Sequence, residues 1–470
     1  MTAKRGFRLQ SNKKQQANKS SNWLVGAVVG VSLCLIVGNI QTALKYWNNQ
    51  QLIPLQSELY HSSKYQPIQF GSTEKIAQQD FSQIDRIAKN LNYSGTSISE
   101  LANLLAQNTA TEAEKARIIY AWLTQHITYD VPAFLDAVNN DKYPDVSPEK
   151  VLRDRTTICS GYSNLYQALA EAMNLESVIV IGYAKGATPD LERFQNVNHA
   201  WNAVKIDGGW YLLDATWGAG TVNNAQFQAN YQPYYFATAP VEFINNHFPQ
   251  DSGWQLLSQT YTRTEFDNLP SIASRFYDLG LDLVSHNKHL ISAQNRVDIV
   301  LKAPQKIVAI ADLQDSNQTI LENATLVNRK GDNLIISIAP PAAGNYDLKI
   351  FAKHRDDRDP YGEIIDYQIV TTQAAVQLPQ IYGHFQDYQA SLIEPLTRDL
   401  KPNWSTYFNL IVPQAIDVQV VNTTTNQATP LNGYGNYFAG HVDIQEGKTL
   451  VIAKFSGDEQ YWQLVEYQSR

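Results

Sequence analysis

The segment His199-Ala200-Trp201-Asn202-Ala203-Val204-Lys205-Ile206-Asp207-Gly208-Gly209-Trp210-Tyr211-Leu212-Leu213-Asp214-Ala215-Thr216-Trp217 reads as two strands around one tight turn. Ala200 to Ile206 and Trp210 to Asp214 are rich in apolar, β-branched and aromatic residues, and Asp207-Gly208-Gly209 is the turn between them. With Asp207-Gly208 as a two-residue loop, Ile206 faces Gly209, Trp201 faces Asp214 and His199 faces Thr216. His199 and Asp214 then become diagonal neighbours on one face of the sheet, within reach of each other's side chains. A three-residue loop would put them on opposite faces. The register of this hairpin therefore decides whether a histidine and a carboxylate meet.

Working back toward the N-terminus, Val178 to Tyr183 is another strand, and residues 76 to about 175 carry a helical period. Thr111 and Glu114 form a capping box, and behind them Ala116, Ile119, Tyr120, Leu123 and Ile127 fall on one helical face. Tyr162, Leu165, Tyr166, Leu169 and Met173 mark a second helix, with Cys159 at its start. Helices followed by an antiparallel sheet make an α+β domain.

Beyond about residue 270 the helical period disappears. Val297 to Leu301, Leu334 to Ile338, Tyr346 to Ala352 and Ile364 to Val370 are short, β-branched and separated by turn residues. Tyr407 to Val412, Ile416 to Val421, Leu450 to Phe455 and Tyr461 to Tyr467 repeat that character. Two all-β, immunoglobulin-like sandwich modules of roughly 100 residues each account for them.

The N-terminus is of another kind. The first 22 residues hold Lys4, Arg5, Arg8, Lys13, Lys14 and Lys19 with no acid, a charge of +6. The chain's 37 cations and 45 acids give 37 − 45 = −8, so the remainder carries −8 − 6 = −14. That acidic body argues against nucleic-acid binding, which needs clustered cations. Trp23 to Ile40 is an apolar run of 18 residues, interrupted by Ser32 and Asn39. At ~1.5 Å per residue it would span roughly 27 Å, enough for a hydrocarbon core. Gly38-Asn39-Ile40-Gln41 offers no good small-residue cleavage site, so the run reads as a retained single-pass transmembrane helix. The charge bias puts residues 1–22 in the cytoplasm as a basic tail and everything after Ile40 outside it. Residues 41–75, polar and Gln-rich with Pro54 and Pro67, read as a stalk.

Two cysteines exclude a disulfide framework and a thiolate zinc site. Cys34 falls in the apolar run, which leaves Cys159 as the one thiol of the soluble part. A cysteine nucleophile needs a base and a group to orient that base. At the start of its helix, Cys159 would meet free amides and a dipole that favour the thiolate, and the same amides suit an oxyanion. His199 is the candidate base and Asp214 the candidate orienter. Trp201, Trp217 and Tyr162 are candidate substrate-binding residues, the two indoles as walls of an acyl pocket, while Trp210 reads as core. Tyr129-Asp130 is a weaker candidate for the cleft. His126, His247, His354, His384 and His441 read as isolated structural or surface residues. His286 and His289 lie beside a predicted strand without a partner cluster, so no metal site is expected there. Asp141 to Asp145 reads as a solvated loop, because it lacks calcium-loop spacing.

Ile158-Cys159-Ser160-Gly161-Tyr162, Asn198-His199-Ala200-Trp201-Asn202 and Gly209-Trp210-Tyr211-Leu212-Leu213-Asp214-Ala215-Thr216-Trp217 resemble the three core motifs of the transglutaminase-like superfamily, in that family's order. The resemblance implies a papain-like fold over residues 76–265, with Cys159 as nucleophile, His199 as base and Asp214 as orienter. Tyr234-Tyr235-Phe236, His247-Phe248-Pro249 through Trp254, Phe276 to His286 and Gly344 to Lys353 resemble the kyphoscoliosis peptidase branch and its immunoglobulin-like module. That places an immunoglobulin-like sandwich at 270–375 and a second β-sandwich at 376–470. Two departures stand out. Thr157 occupies a position where many relatives have glycine, and Arg153 stands where papain-type enzymes carry an oxyanion glutamine.

The expected chemistry is acyl transfer through a thioester on protein or peptide amides, with no cofactor and no metal. Water as acceptor makes a cysteine peptidase or amidase, which the kyphoscoliosis branch implies. A lysine amine as acceptor makes a cross-linking transglutaminase. A third reading is a catalytically inactive surface scaffold using its sandwiches for adhesion. Expected partners are a protein or peptide substrate, such as one of the cell envelope, and the membrane through the N-terminal helix. The sequence fixes no oligomeric state.

Overall fold

The structure is a computed structural model that describes residue 76 and residues 79–185, 197–223 and 225–470. The basic tail, the apolar run 23–40 and the stalk 41–75 lie outside the described residues. Among the described residues, no helix is long and apolar enough to cross a membrane. The chain divides into two compact units, separated between Ser271 and Ile272.

The first unit opens with helices α1 (Ser82–Asn90), α2 (Ile98–Ala106) and α3 (Glu112–His126). Thr111 and Glu114 close the expected capping box: the Glu114 amide donates to Thr111 Oγ1 at 3.1 Å, and the Thr111 amide donates to Glu114 Oε2 at 3.2 Å. The predicted face of α3 is buried, but so are Arg117, Ile118, Ala121, Trp122 and Thr124. The helix is surrounded rather than amphipathic, which its one-sided sequence pattern did not reveal. Arg117 can be buried because Asp85 on α1 accepts two charge-assisted hydrogen bonds from its guanidinium, both at 2.8 Å.

After α3 the chain forms β1 (Thr128–Tyr129), α4 (Val131–Asn140), α5 (Pro148–Asp154), β2 (Thr156–Thr157) and α6 (Cys159–Ala172). Strands β1 and β2 run parallel, pairing Tyr129 with Thr157. This short ladder anchors the residues leading into Cys159. The apolar residues named for α6 all face the core, with Leu165, Tyr166 and Leu169 fully buried.

The sheet follows: β3 (Ser177–Ala184), β4 (His199–Ile206), β5 (Gly209–Leu213), the hairpin β6 (Gly220–Asn223) and β7 (Gln226–Ala229), then β8 (Phe236–Thr238) and β9 (His247–Pro249). Five of these strands form an antiparallel sheet in the order β8-β5-β4-β3-β9. The β4–β5 register pairs Ile206 with Gly209 and Asn202 with Leu213, as the two-residue loop requires. Asp207 and Gly208 hold φ of 50° and 85°, the left-handed pair of a tight primed turn. A short helix α7 (Ala215–Ala219) begins right after β5, and α8 (Pro240–Phe243) precedes β9.

The second unit contains two β-sandwiches. In the first, Val297–Lys302, Asn333–Ile338 and Thr325–Lys330 form one sheet, and Ile307–Gln314, Gly344–His354 and Gly362–Thr371 form the other. Ile299, Leu301, Leu313, Ile336, Leu348 and Ile350 fill the space between them. The second sandwich packs the sheet of Ala415–Asn422, Gly447–Phe455 and Trp462–Ser469 on that of Ser405–Ile411 and Tyr437–Asp443. Strand Tyr437–Asp443 is absent from the sequence reading because Ala439, Gly440 and His441 interrupt its apolar alternation.

Gly182 in the middle of β3 has a specific reason. A methyl at this position would overlap the Phe248 carbonyl oxygen of β9 and the Trp201 ring of β4. Gly182→Ala should therefore cost about 1–3 kcal/mol, as overpacked interior positions do. Urea unfolding of the first unit, followed by tryptophan fluorescence, checks this: its midpoint should fall, and an unchanged midpoint would contradict the close approach.

Candidate active site

Three elements bring the site together. Cys159 is the first residue of α6 and is 7% exposed. His199 is the first residue of β4 and Asp214 follows the last residue of β5, both buried. Helix α6 lies against β4 and β3, and Asn202 ties them together: its Nδ2 donates to the Ser163 carbonyl at 3.1 Å and to the Val178 carbonyl at 3.4 Å. The start of β4 is pinned by Asn198, whose amide donates to the Ala184 carbonyl at 3.1 Å and accepts from the Ala184 N–H at 2.7 Å. The two asparagines belong to the quoted motif, but their work as straps is not readable from it.

Asp214 is the N-cap of α7. Its Oδ1 accepts from the amides of Thr216 at 2.8 Å and Trp217 at 3.1 Å. Its Oδ2 lies 2.7 Å from His199 Nε2 and 3.0 Å from His247 Nε2. An ionised carboxylate only accepts, so both Nε2 atoms carry hydrogen. That leaves Nδ1 as the ring nitrogen of His199 not turned to Asp214, and Cys159 acts with Asp214 in holding the imidazole up.

Electrostatics follow from this arrangement. Burial pushes His199 down, but the charge and hydrogen bond of Asp214, followed by Cys159, outweigh it and hold the imidazole up at about 10. Burial pushes Asp214 up, but the charge and hydrogen bond of His199, and then His247, keep its carboxyl well below the ordinary range.

The expectation that His247 is isolated is corrected. It is 1% exposed and shares the Asp214 carboxylate with His199. The sequence hid this because His247 lies on a three-residue edge strand, paired to β3 through Ala184, too short to show a period. His126 stacks on Trp122 and His384 on Trp462, at centroid separations of 4.8 and 4.2 Å.

The candidate substrate residues are placed differently from expectation. Trp201 is 1% exposed and Trp217 6%, and both pack on His247, with centroids 5.1 and 4.4 Å from it. They wrap the histidines rather than wall an open pocket. Their indole N–H groups are buried without a partner among the described residues. Tyr162 is 1% exposed and donates its hydroxyl to the Ile127 carbonyl at 2.6 Å, so it is a core brace. Trp210 packs edge-on against Trp254, as core. Asp130 caps α4 through the Ala133 amide at 2.9 Å, and Asp145 accepts from the Ser147 amide at 2.9 Å. His199, Asp214 and His247 also offer three potential metal-ligand atoms within 4.8 Å of one another. Their 2.7 and 3.0 Å separations are those of hydrogen bonds.

Residues 99–215, which contain Cys159, His199 and Asp214, match the transglutaminase-like superfamily. Residues 263–382 match the KY-like, immunoglobulin-like domain. The chain is 28% identical to kyphoscoliosis peptidase of Mus musculus over 371 residues, covering 77% of this chain and 50% of the relative. It is 30% identical to kyphoscoliosis peptidase of Homo sapiens over 311 residues, covering 64% of this chain and 45% of the relative. The chain thus spans about half the length of these relatives. A solved structure described as a TGase is 25% identical, covers 34% of this chain and 37% of its own, and superposes with a TM-score of 0.21.

The two shifted groups predict a pH dependence of stability. Asp214 lies below its unfolded value of ~3.9, so its contribution is present above that pH and is lost as pH falls through the folded value. His199 lies above its unfolded value of ~6.5, so its contribution is full below that pH and is lost as pH rises through about 10. The melting temperature of the wild type should therefore exceed that of Asp214→Asn most between pH ~4 and ~6.5, with the gap narrowing on either side. A constant gap would contradict the assignment.

Proposed function

We propose that this chain, which carries a transglutaminase-like domain and a KY-like immunoglobulin-like domain, is a cysteine peptidase or amidase acting by thioester acyl transfer on protein or peptide amides. The observation that supports this reading is the hold of the buried, four-fold hydrogen-bonded Asp214 carboxylate on His199, an imidazole that Cys159 also acts on. The names of the mouse and human relatives favour hydrolysis over cross-linking.

In this reading the proton of Cys159 rests on Nδ1 of His199, and the sulfur attacks the amide carbonyl carbon. A C–S bond forms, the C–N bond breaks, and His199 gives its proton to the leaving amine. Water then gives a proton to His199 as its oxygen attacks the thioester carbon; a C–O bond forms, the C–S bond breaks, and the carboxylic acid leaves with the Cys159 thiolate beside the protonated His199. Asp214 fixes the imidazole tautomer and stabilises its cation throughout. We also assign residues 23–40 as a membrane anchor with the catalytic domain outside the cytoplasm, on the charge bias of residues 1–22. Cleavage of the domain by protease added to intact cells tests that topology, and full protection contradicts it.

The burial of Cys159 and His199 favours a second reading, an inactive scaffold whose sandwiches make the contacts. Alkylation of Cys159 by iodoacetamide, followed on its own peptide by mass spectrometry in the full chain, separates the two. The active reading predicts a rate that stays high well below pH ~8.5 in the wild type and falls at least about tenfold at neutral pH in His199→Ala. A rate that follows an ordinary thiol in both proteins favours the scaffold.

A further inference from the structure

We propose that His247 is a positioning residue of this site: as a second donor on the Asp214 oxygen used by His199, it sets how tightly the carboxylate holds the His199 proton. This rests on the reading of Cys159 and His199 given above.

The chain devotes unusual resources to placing this one ring. Strand β9 holds its backbone against β3, pairing His247 with Ala184, while the Lys185 amide donates to the Asn246 carbonyl at 2.9 Å. Gly182 gives β9 and Trp201 room to approach each other. Phe243 stacks on the imidazole at 4.0 Å and 19°, and Trp217, Trp201 and Tyr235 enclose it. A box of aromatic rings suits an apolar side chain, so a polar ring inside it needs a partner. That partner is Asp214 Oδ2, because Oδ1 is occupied by the amides of Thr216 and Trp217.

The charges decide the form of the ring. Two imidazolium ions 5.7 Å apart on one carboxylate would repel. Burial and the His199 charge lower His247 to about 4, although Asp214 and the Phe243 backbone pull the other way. His247 is then a neutral N–H donor at neutral pH. A neutral donor satisfies part of the carboxylate and weakens its pull on the His199 proton. The other titratable groups facing the cluster are Cys159 on α6 and the phenols of Tyr120, Tyr162 and Tyr235.

The test is the pH profile of Cys159 alkylation in the full chain, compared among the wild type, His247→Leu, His247→Gln and His247→Asn. Its upper inflection reports loss of the His199 proton. Leucine fills the box without a donor, and the inflection should rise by about one pH unit, a tenfold change in the proton equilibrium. Glutamine reaches Oδ2 with an amide N–H and should restore the wild-type inflection. Asparagine is too short and should behave like leucine. If the leucine variant does not fold, the glutamine and asparagine pair carries the comparison. An upper inflection that stays at the wild-type position in every variant, while the wild type still shows a His199-dependent rate, overturns this inference alone. A wild-type rate independent of His199 overturns both this inference and the acyl-transfer reading.

Discussion

Everything around the site answers to one constraint: the Asp214 carboxylate is charged and shielded from water. A buried carboxylate without compensation would simply take up a proton. Here two helix-start amides hold one oxygen and two imidazoles hold the other. The same residue follows β5, caps α7 and holds His199, so the hairpin, the short helix and the His199 imidazole form one unit. The Tyr235 carbonyl accepts from the Asp214 amide at 2.9 Å, locking the carboxylate's own backbone. Such a site is rigid by construction, because moving any one partner leaves another buried polar group unsatisfied.

Much of this was readable from the chain because the deciding features are local. A two-residue loop at Asp207-Gly208 sets the side-chain parity of the whole hairpin, and parity alone puts His199 and Asp214 on one face. The Thr111–Glu114 box and the apolar spacing of α6 are likewise contained within a few residues. His247 was not readable. It lies 48 positions beyond His199 and reaches the cluster only through edge pairing with β3 and the space left at Gly182. The packing of Trp201 and Trp217 was not readable for the same reason: without His247, nothing in the sequence explains what their rings enclose. Arg117 is buried on α3 because Asp85 of α1 pairs with it, a contact between two helices that no local pattern displays.

The second unit is built by simpler rules. Strand alternation, turn residues and apolar cores such as Ile299, Ile336 and Leu348, or Phe408, Val451 and Leu464, account for both sandwiches. The second sandwich exposes aromatic residues, among them Trp404, Tyr434 and Tyr437. Matches to the transglutaminase-like superfamily and to the KY-like immunoglobulin-like domain fall on the α+β unit and on the first sandwich with the segment leading into it. Cys159, His199 and Asp214 all lie in the first unit, where the buried carboxylate holds the His199 imidazole up toward its cation.

Thiolate absorbance tests the pairing of this imidazole with the Cys159 sulfur. The difference in ultraviolet absorbance between the protein and its Cys159→Ser variant, recorded across pH, isolates the charge state of this one sulfur and cancels Cys34. The expected result is a thiolate signal already present at neutral pH and lost on Asp214→Asn, which removes the charge while keeping the shape. A signal that appears only near pH ~8.5, with or without the Asp214 charge, would contradict it.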